Sequence, residues 1–348
     1  MTPKGSKNIG KNRIVTLFIG LFGLFILFAI LDLLLGSVKI PFIHFIDFIL
    51  GNDIKDPVAR QILVNFRLPK TIAAVLAGSA LAVSGLQMQT IFRNPLAGPY
   101  VLGISSGASL GVALVVLGLS AFSIPIWVSQ LSIATAALIG SMLVLLLILA
   151  VSVRIKDILT ILIMGMMFGS AASAVVSILQ YFSNESVLRS FVIWTMGSLG
   201  SVTGIQIWFF SLLTFLGLSM AILLARPLNV IFLGENYARN LGLNVGLVRF
   251  LVFLSTSLLA GATTAFCGPI GFIGIAVPHV VKMLFKTSNH TILIPASVIA
   301  GAVVLLICDI ISQLPGANYT LPINSIAALM GIPVVIYVVI RNKRFSGV

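Results

Sequence analysis

The stretch NPLAGPYVLGISSGASLGVALVVLGLSAFSIPIWVSQLSIATAALIGSMLVLLLILAVSV, residues 94–153, runs for sixty residues without one Asp, Glu, Lys or Arg and stops at Arg154. Soluble domains carry roughly 25% charged residues, so a run of this length describes the solvent the chain lives in. Proline has no backbone donor and interrupts helices. Pro95, Pro99 and Pro125 therefore divide the run into a span near 100–119 and another near 126–153. About 20 residues of helix cross roughly 30 Å of hydrocarbon, and each half suffices.

The same punctuation continues outward. Further charge-free runs cover 14–31, 71–92, 158–184, 190–225, 250–281, 287–308 and 310–340. Over all 348 residues, 59% are apolar and 8% charged, with a mean hydropathy of +1.17. Ionised groups are rare inside spanning helices, so the pattern predicts an all-α polytopic membrane protein forming a single transmembrane domain over 1–348. The remaining spans fall near 14–35, 71–92, 158–182, 204–225, 247–266, 276–286, 291–312 and 322–340, making about ten. Residues 186–200 stay open as an eleventh span or a short helix outside the membrane. The eighth span is too short to cross alone. It follows Cys267-Gly-Pro-Ile-Gly-Phe-Ile-Gly274, which reads as a broken segment lining a cavity, because irregular backbone at membrane depth needs protein or water around it.

Lys and Arg number 21 against 8 Asp and Glu, a net charge of +13. In a hydrophobic chain this predicts basic loops on the cytoplasmic side and no nucleic-acid partner. With ten spans, fifteen of the 21 basic residues fall on one side. That side is expected to be cytoplasmic and to hold both termini, with residues 1–13 as a basic tail. The first apolar run exceeds the roughly 7–15 residues of a signal-peptide core and reads as an uncleaved helix. Gly5-Ser-Lys-Asn-Ile-Gly-Lys11-Asn12 approaches a P-loop, but Asn12 replaces the magnesium-holding Ser or Thr and no strand precedes it.

Catalysis and metal binding find no foothold. His44, His279 and His290 are scattered, and Cys267 and Cys308 lie alone in apolar runs, so no metal, cofactor or catalytic residue is expected. His279 follows Pro278 and reads as a helix-start or packing residue. Ion-coupled secondary transport, the alternative function, usually needs ionisable groups within the membrane. Asp32 and Asp309, both near span ends, are the candidates. A membrane scaffold that moves no solute is the third class.

Small residues mark where helices approach. Gly103, Gly107 and Gly111 recur every four residues, with Ser105, Ser106 and Ser109 beside them, a pattern of tight packing or of a polar pathway wall. Two breaks echo one another: Asn94-Pro-Leu-Ala-Gly-Pro99 before a Gly/Ser-rich span, and Cys267-Gly-Pro269 before a glycine-rich one. Paired interruptions of opposite orientation mark inverted repeats about a central pathway.

Six motifs, in order from about 60 to 340, carry a resemblance. They are Arg67-Leu-Pro-Lys70, Phe92-Arg-Asn-Pro-Leu-Ala-Gly-Pro99, Leu102-Gly-Ile-Ser-Ser-Gly-Ala108, Gly234-Glu-Asn-Tyr-Ala-Arg-Asn-Leu-Gly242, Gly268-Pro-Ile-Gly-Phe-Ile-Gly274 with Pro278-His279, and Leu321-Pro322 with Gly331-Ile-Pro333. As a set the chain resembles the FecCD-type permeases of ABC importers, which handle iron-siderophores, haem and cobalamin. The resemblance implies an inverted-repeat type II importer permease in a bacterial or archaeal plasma (inner) membrane. Its partners would be a second permease copy or homologue, a cytoplasmic ATPase dimer, an extracytoplasmic substrate-binding protein and membrane lipid. Ferric siderophore is the expected cargo, with haem and cobalamin as alternatives.

The resemblance also implies roles for residues. Gly234, Glu235, Ala238, Arg239, Leu241 and Gly242, within a cytoplasmic loop over 227–246, match the ATPase-docking segment; an acid at a helix start such as Glu235 suits the helix dipole, and a solvated connecting loop is the alternative. Arg67 and Lys70 match basic positions that receive the binding protein, while Gln313 stands where the family often has a third cation. Asn94 and Leu96, with Pro95 between them, match the cytoplasmic gate, against the alternative of an ordinary turn.

Overall fold

The computed structural model describes residues 10–36, 38, 41–50, 56–118, 130–155, 157–313 and 319–343. The basic tail and the near P-loop therefore lie almost entirely outside the described residues. Among the described residues the regular structure is helical throughout.

In chain order the helices are α1 (Lys11–Leu34), α2 (Phe42–Leu50), α3 (Pro57–Ile62), α4 (Leu68–Ile91), α5 (Ile104–Ala113), α6 (Gln130–Arg154), α7 (Ile158–Tyr181), α8 (Glu185–Thr195), α9 (Ile205–Leu223), α10 (Ala225–Leu233), α11 (Glu235–Asn240), α12 (Val245–Cys267), α13 (Ile273–Phe285), α14 (His290–Ser312) and α15 (Ile323–Lys343). Seven of them are long and apolar enough to cross a membrane, and three shorter apolar helices occupy 104–118, 273–285 and 323–338. These ten coincide with the ten spans expected from charge punctuation. The open segment at 186–200 contains α8, whose 11 residues reach only about 16 Å. That is too short to cross.

Side-chain caps set several boundaries. Asp157 accepts from Thr160 N–H at 2.8 Å to start α7, Asn244 from Leu247 N–H at 3.0 Å to start α12, and Asn289 from Thr291 N–H at 3.0 Å to start α14. Each satisfies a donor that a helix N-terminus leaves unpaired.

One boundary differs from the sequence reading. The second span was expected to begin near 71, after Arg67 and Lys70, yet α3 continues through a π-turn at Leu63–Arg67 straight into α4. The helix persists because its two cations have partners inside the protein, given below.

Helix α4 is the hub, with 83% of its most apolar window buried, against 6% for α1. It packs against α12, α13 and, most extensively, α14. The α4–α14 contact is a backbone approach. A Cβ on Gly78 would lie 2.2 Å from the Gly301 carbonyl oxygen, and one on Gly301 would lie 2.2 Å from that of Gly78. Small residues at crossings let helices associate through close van der Waals contact where lipid supplies no hydrophobic drive. Polar cross-links add to it: Ser79 donates to Val298 O, and the buried Gln87 amide bonds Ser255 and Thr256 of α12.

The two backbone breaks meet. Residues 268–272 separate α12 from α13, and the turn Pro99–Leu102 precedes α5. The Ile270 N–H donates to the Tyr100 phenol oxygen at 3.3 Å, and Gly274 sits against Pro99 and the Leu81 carbonyl of α4. A backbone N–H released by the break thus finds a side-chain acceptor in the interior, as membrane burial requires.

Candidate functional site

At one end of the bundle, the connection between α9 and α12 is two short helices rather than a loose loop. Gly234, at φ +140°, makes the break between α10 and α11, and Gly242, at φ +80°, closes α11. Glu235 heads α11 and accepts from Arg249 Nη2 of α12 at 2.6 Å, while Arg239 lies 3.9 Å away across one helical turn. Ala238 is fully buried. Glu235 and Ala238 thus hold the segment to the bundle, and Phe232, Leu233, Tyr237 and Leu241 are its large exposed side chains, Leu241 at 60%. Between this segment and the ends of α4 and α7 lies a cleft of about 560 Å³ lined by Arg93, Asp157, Gly234, Glu235 and Tyr237 among others. The Thr160 hydroxyl, with the Thr160 N–H, holds the Asp157 carboxyl below its usual range.

Beside that cleft, two residues past the end of α4, Arg93 has φ +48°, a left-handed conformation that residues with a Cβ seldom adopt. The next residues form a closed turn: Asn94 Oδ1 accepts from Leu96 N–H at 2.9 Å, and Ala97 N–H donates to Asn94 O at 3.1 Å. Leu96 is 40% exposed. Two bonds reach the turn from elsewhere. Arg93 Nη2 donates to Ile231 O of α10 at 3.3 Å, and His279 Nε2 of α13 lies 2.9 Å from Pro95 O. A carbonyl oxygen can only accept, so the proton sits on Nε2. Sequence reasoning assigned His279 to packing and gave Arg93 no role.

At the opposite end, Arg67 is buried, and its guanidinium donates to Leu33 O at 2.8 Å, to Leu34 O at 2.7 Å and to Val38 O. It closes the C-terminus of α1, whose last carbonyls lack helical partners. Lys70 pairs with Asp309 Oδ1 at 2.9 Å, and Gln313 donates to Asp309 Oδ2 at 2.8 Å. Thr71 donates to Asp32 Oδ2 at 2.5 Å. The two cations line a pocket of about 510 Å³ together with Asp309, Ser312 and Gln313, so they form part of its wall with their charges already engaged.

The glycine-rich start of α5 serves packing. Gly103, at φ +74°, rests on Gly165 and Gly169 of α7, and a Cβ on Gly107 would lie 2.6 Å from Gly140 O of α6. Ser106 faces outward, and Ser173 donates to it at 3.5 Å. Together with Tyr100, Gly103, Ser170 and Ser177 these residues line an open groove of about 670 Å³. Ser105 is half-buried and lies outside the groove lining. Met166, Ser170, Ser173 and Ser177 share one face of α7 at helical spacing, a stripe that the sequence reading passed over.

A bundle of apolar helices with interior backbone breaks and a hydroxyl-lined groove has the architecture of a polytopic membrane protein. The FecCD transport family model matches residues 24–341. The chain is 37% identical over 280 residues to the vitamin B12 import system permease protein BtuC of Citrobacter koseri, covering 80% of this chain and 82% of that protein. It is 38% identical over 278 residues to the same-named protein of Klebsiella pneumoniae, with coverage of 80% and 82%. A solved inward-facing structure of a transporter described as of the metal-chelate ABC type superposes with a TM-score of 0.81 at 31% identity, over 94% of this chain and 99% of that one. The chain belongs to the FecCD transport family, and it is a membrane permease of the kind found in ABC importers.

Proposed function

We propose that this chain forms one wall of the passage through which an ATP-driven importer takes up a large metal chelate, either cobalamin or a ferric siderophore. The observation that carries the reading is the serine-lined groove on α7, which one chain leaves open. Ser177 donates to the Ser173 carbonyl and Ser173 to Ser106, so these hydroxyls are paired within the chain, but a row of polar side chains on one helix face suits a water-filled cavity better than hydrocarbon. A second copy or a homologue closing over the groove would turn those hydroxyls toward a polar passage. The B12 permeases among its relatives and the metal-chelate transporter support this cargo class.

In this reading α10 and α11 are the platform for a separate cytoplasmic ATPase, which Tyr237 and Leu241 contact directly. The turn Asn94-Pro95-Leu96 narrows the passage at that end. The Arg67 and Lys70 end receives an extracytoplasmic binding protein. Both termini lie in the cytoplasm of a bacterial or archaeal cell, and residues 1–348 form one permease domain. Ion coupling through Asp309 is disfavoured by its contact with Lys70.

The test is to purify the complex in mild detergent, reconstitute it in liposomes with its binding protein, and follow labelled cobalamin and ferric siderophore. ATP-dependent uptake of either, with a co-purifying ATPase, is the expected result. Uptake driven by an ion gradient without ATP overturns the reading.

A further inference from the structure

The turn at 94–96 is suspended between two elements that are far from it in sequence. On one side Arg93 reaches Ile231 O, the same carbonyl that accepts the Gly234 N–H where α10 gives way to α11. On the other side His279 of α13 holds Pro95 O. Pro95 has no N–H of its own, so that carbonyl is its one backbone hydrogen-bonding group. Between the two attachments the Asn94 side chain closes on Leu96 N–H, which braces the turn internally. The left-handed backbone of Arg93 turns the chain off the α4 axis. Unusual φ values in non-glycine residues cluster at switch regions.

We propose that Arg93 and His279 are the positioning residues of this turn. Arg93 transmits displacement of the α10–α11 platform to Leu96, and His279 supplies the fixed point against which Leu96 moves. The proposal rests on the reading of α10–α11 as the ATPase platform and of 94–96 as the narrowing. It adds the linkage between them, a direct contact spanning 138 residues of sequence. A coupling claim needs an element with two arrangements that both sites bias; the proposal assigns that role to the turn, and the labelling below tests whether it has a second arrangement.

Both native cysteines, Cys267 and Cys308, are buried, so Leu96→Cys gives this chain one accessible thiol, read on the permease band after the subunits are separated. The complex with its co-purified ATPase is placed in nanodiscs, and the rate of maleimide labelling at position 96 is measured without nucleotide and with a non-hydrolysed ATP analogue. We expect nucleotide to change that rate about fivefold or more. Arg93→Met and His279→Leu should each reduce the change below about twofold while the ATPase still co-purifies, and His279→Gln, which keeps an N–H donor, should restore most of it. A full nucleotide response in Arg93→Met overturns the proposal. An absent response in Leu96→Cys with Arg93 and His279 intact and ATPase bound also overturns it. Failure of the platform reading is distinguishable, because the ATPase would then be missing from the purified complex before any labelling.

Discussion

Arg249 donates to Glu235 at 2.6 Å, fastening the first turn of α11 to α12. Both side chains are largely shielded, Arg249 at 8% and Glu235 at 30% exposure. Hydrogen bonds to charged groups contribute about 1.5–3 kcal/mol, and partial exposure places this pair toward the low end. Glu235→Gln is expected to lower the detergent melting temperature slightly. Glu235→Arg should lower it by several degrees, because it sets a third cation beside Arg249 and Arg239. A melting curve for Glu235→Arg matching the parent would refute the structural role of the pair.

The exposed face of the platform separates from its anchor. Leu241→Asp alters a side chain that is 60% exposed, so stability should change by no more than about 0.5 kcal/mol. If Leu241 touches the ATPase, co-purification should fall at least about tenfold. Densitometry of the two subunits after affinity purification decides it.

Breaking the Lys70–Asp309 pair should be severe. Lys70→Met leaves a carboxylate that is 1% exposed without its cation, and removing one partner of a buried pair costs about 3–5 kcal/mol. Lys70→Met with Asp309→Asn should recover most of the loss. The same double variant also tests docking: if it melts like the parent but binds the binding protein more weakly, the charge at position 70 acts across that interface.

Glycine at the α4–α14 crossing is required by distance. Gly78→Val would drive a side chain into the Gly301 carbonyl 2.2 Å from the new Cβ, and overpacking of this kind costs about 1–3 kcal/mol or more. Gly200→Ala, with nothing within 4 Å, should be neutral. Equal thermal stability of the two variants would contradict the described crossing.

The α7 groove can be narrowed without touching the core. Ser173→Leu and Ser170→Leu project from exposed positions, so folding and ATPase association should survive. Chelate uptake in liposomes should drop several-fold. Unchanged uptake in the double variant would remove the groove from the passage.

The ten apolar helices were legible because exclusion of charge is a property of each segment by itself. The turn at 94–96 was legible for a similar local reason, since Pro95 and the Asn94 side chain shape it without help. Residues 63–70 misled, because two cations, Arg67 and Lys70, look like a loop until Leu33, Leu34 and Asp309 are brought to them by the fold. His279 could not be placed from sequence, since its partner lies 184 residues away. Glu235 showed as a helix start, but its commitment to Arg249 did not, and that changes which neighbours can meet a partner. The serine stripe of α7 was in principle readable at helical spacing. It was masked by the apolar residues around it.

The reliance of α4 on α14 also governs how the protein is made. Gly78 and Gly301 are 223 residues apart, and at about 5–20 residues per second the ribosome needs about 10–45 s to supply the second after the first. Throughout that interval Ser79 of α4 lacks its acceptor on α14, and Gln87 and Gln89 wait for theirs until α12 and α13 have been made. Biogenesis of this molecule is thus a waiting problem. Its most interior helix is among the first synthesised and among the last to find its main neighbour.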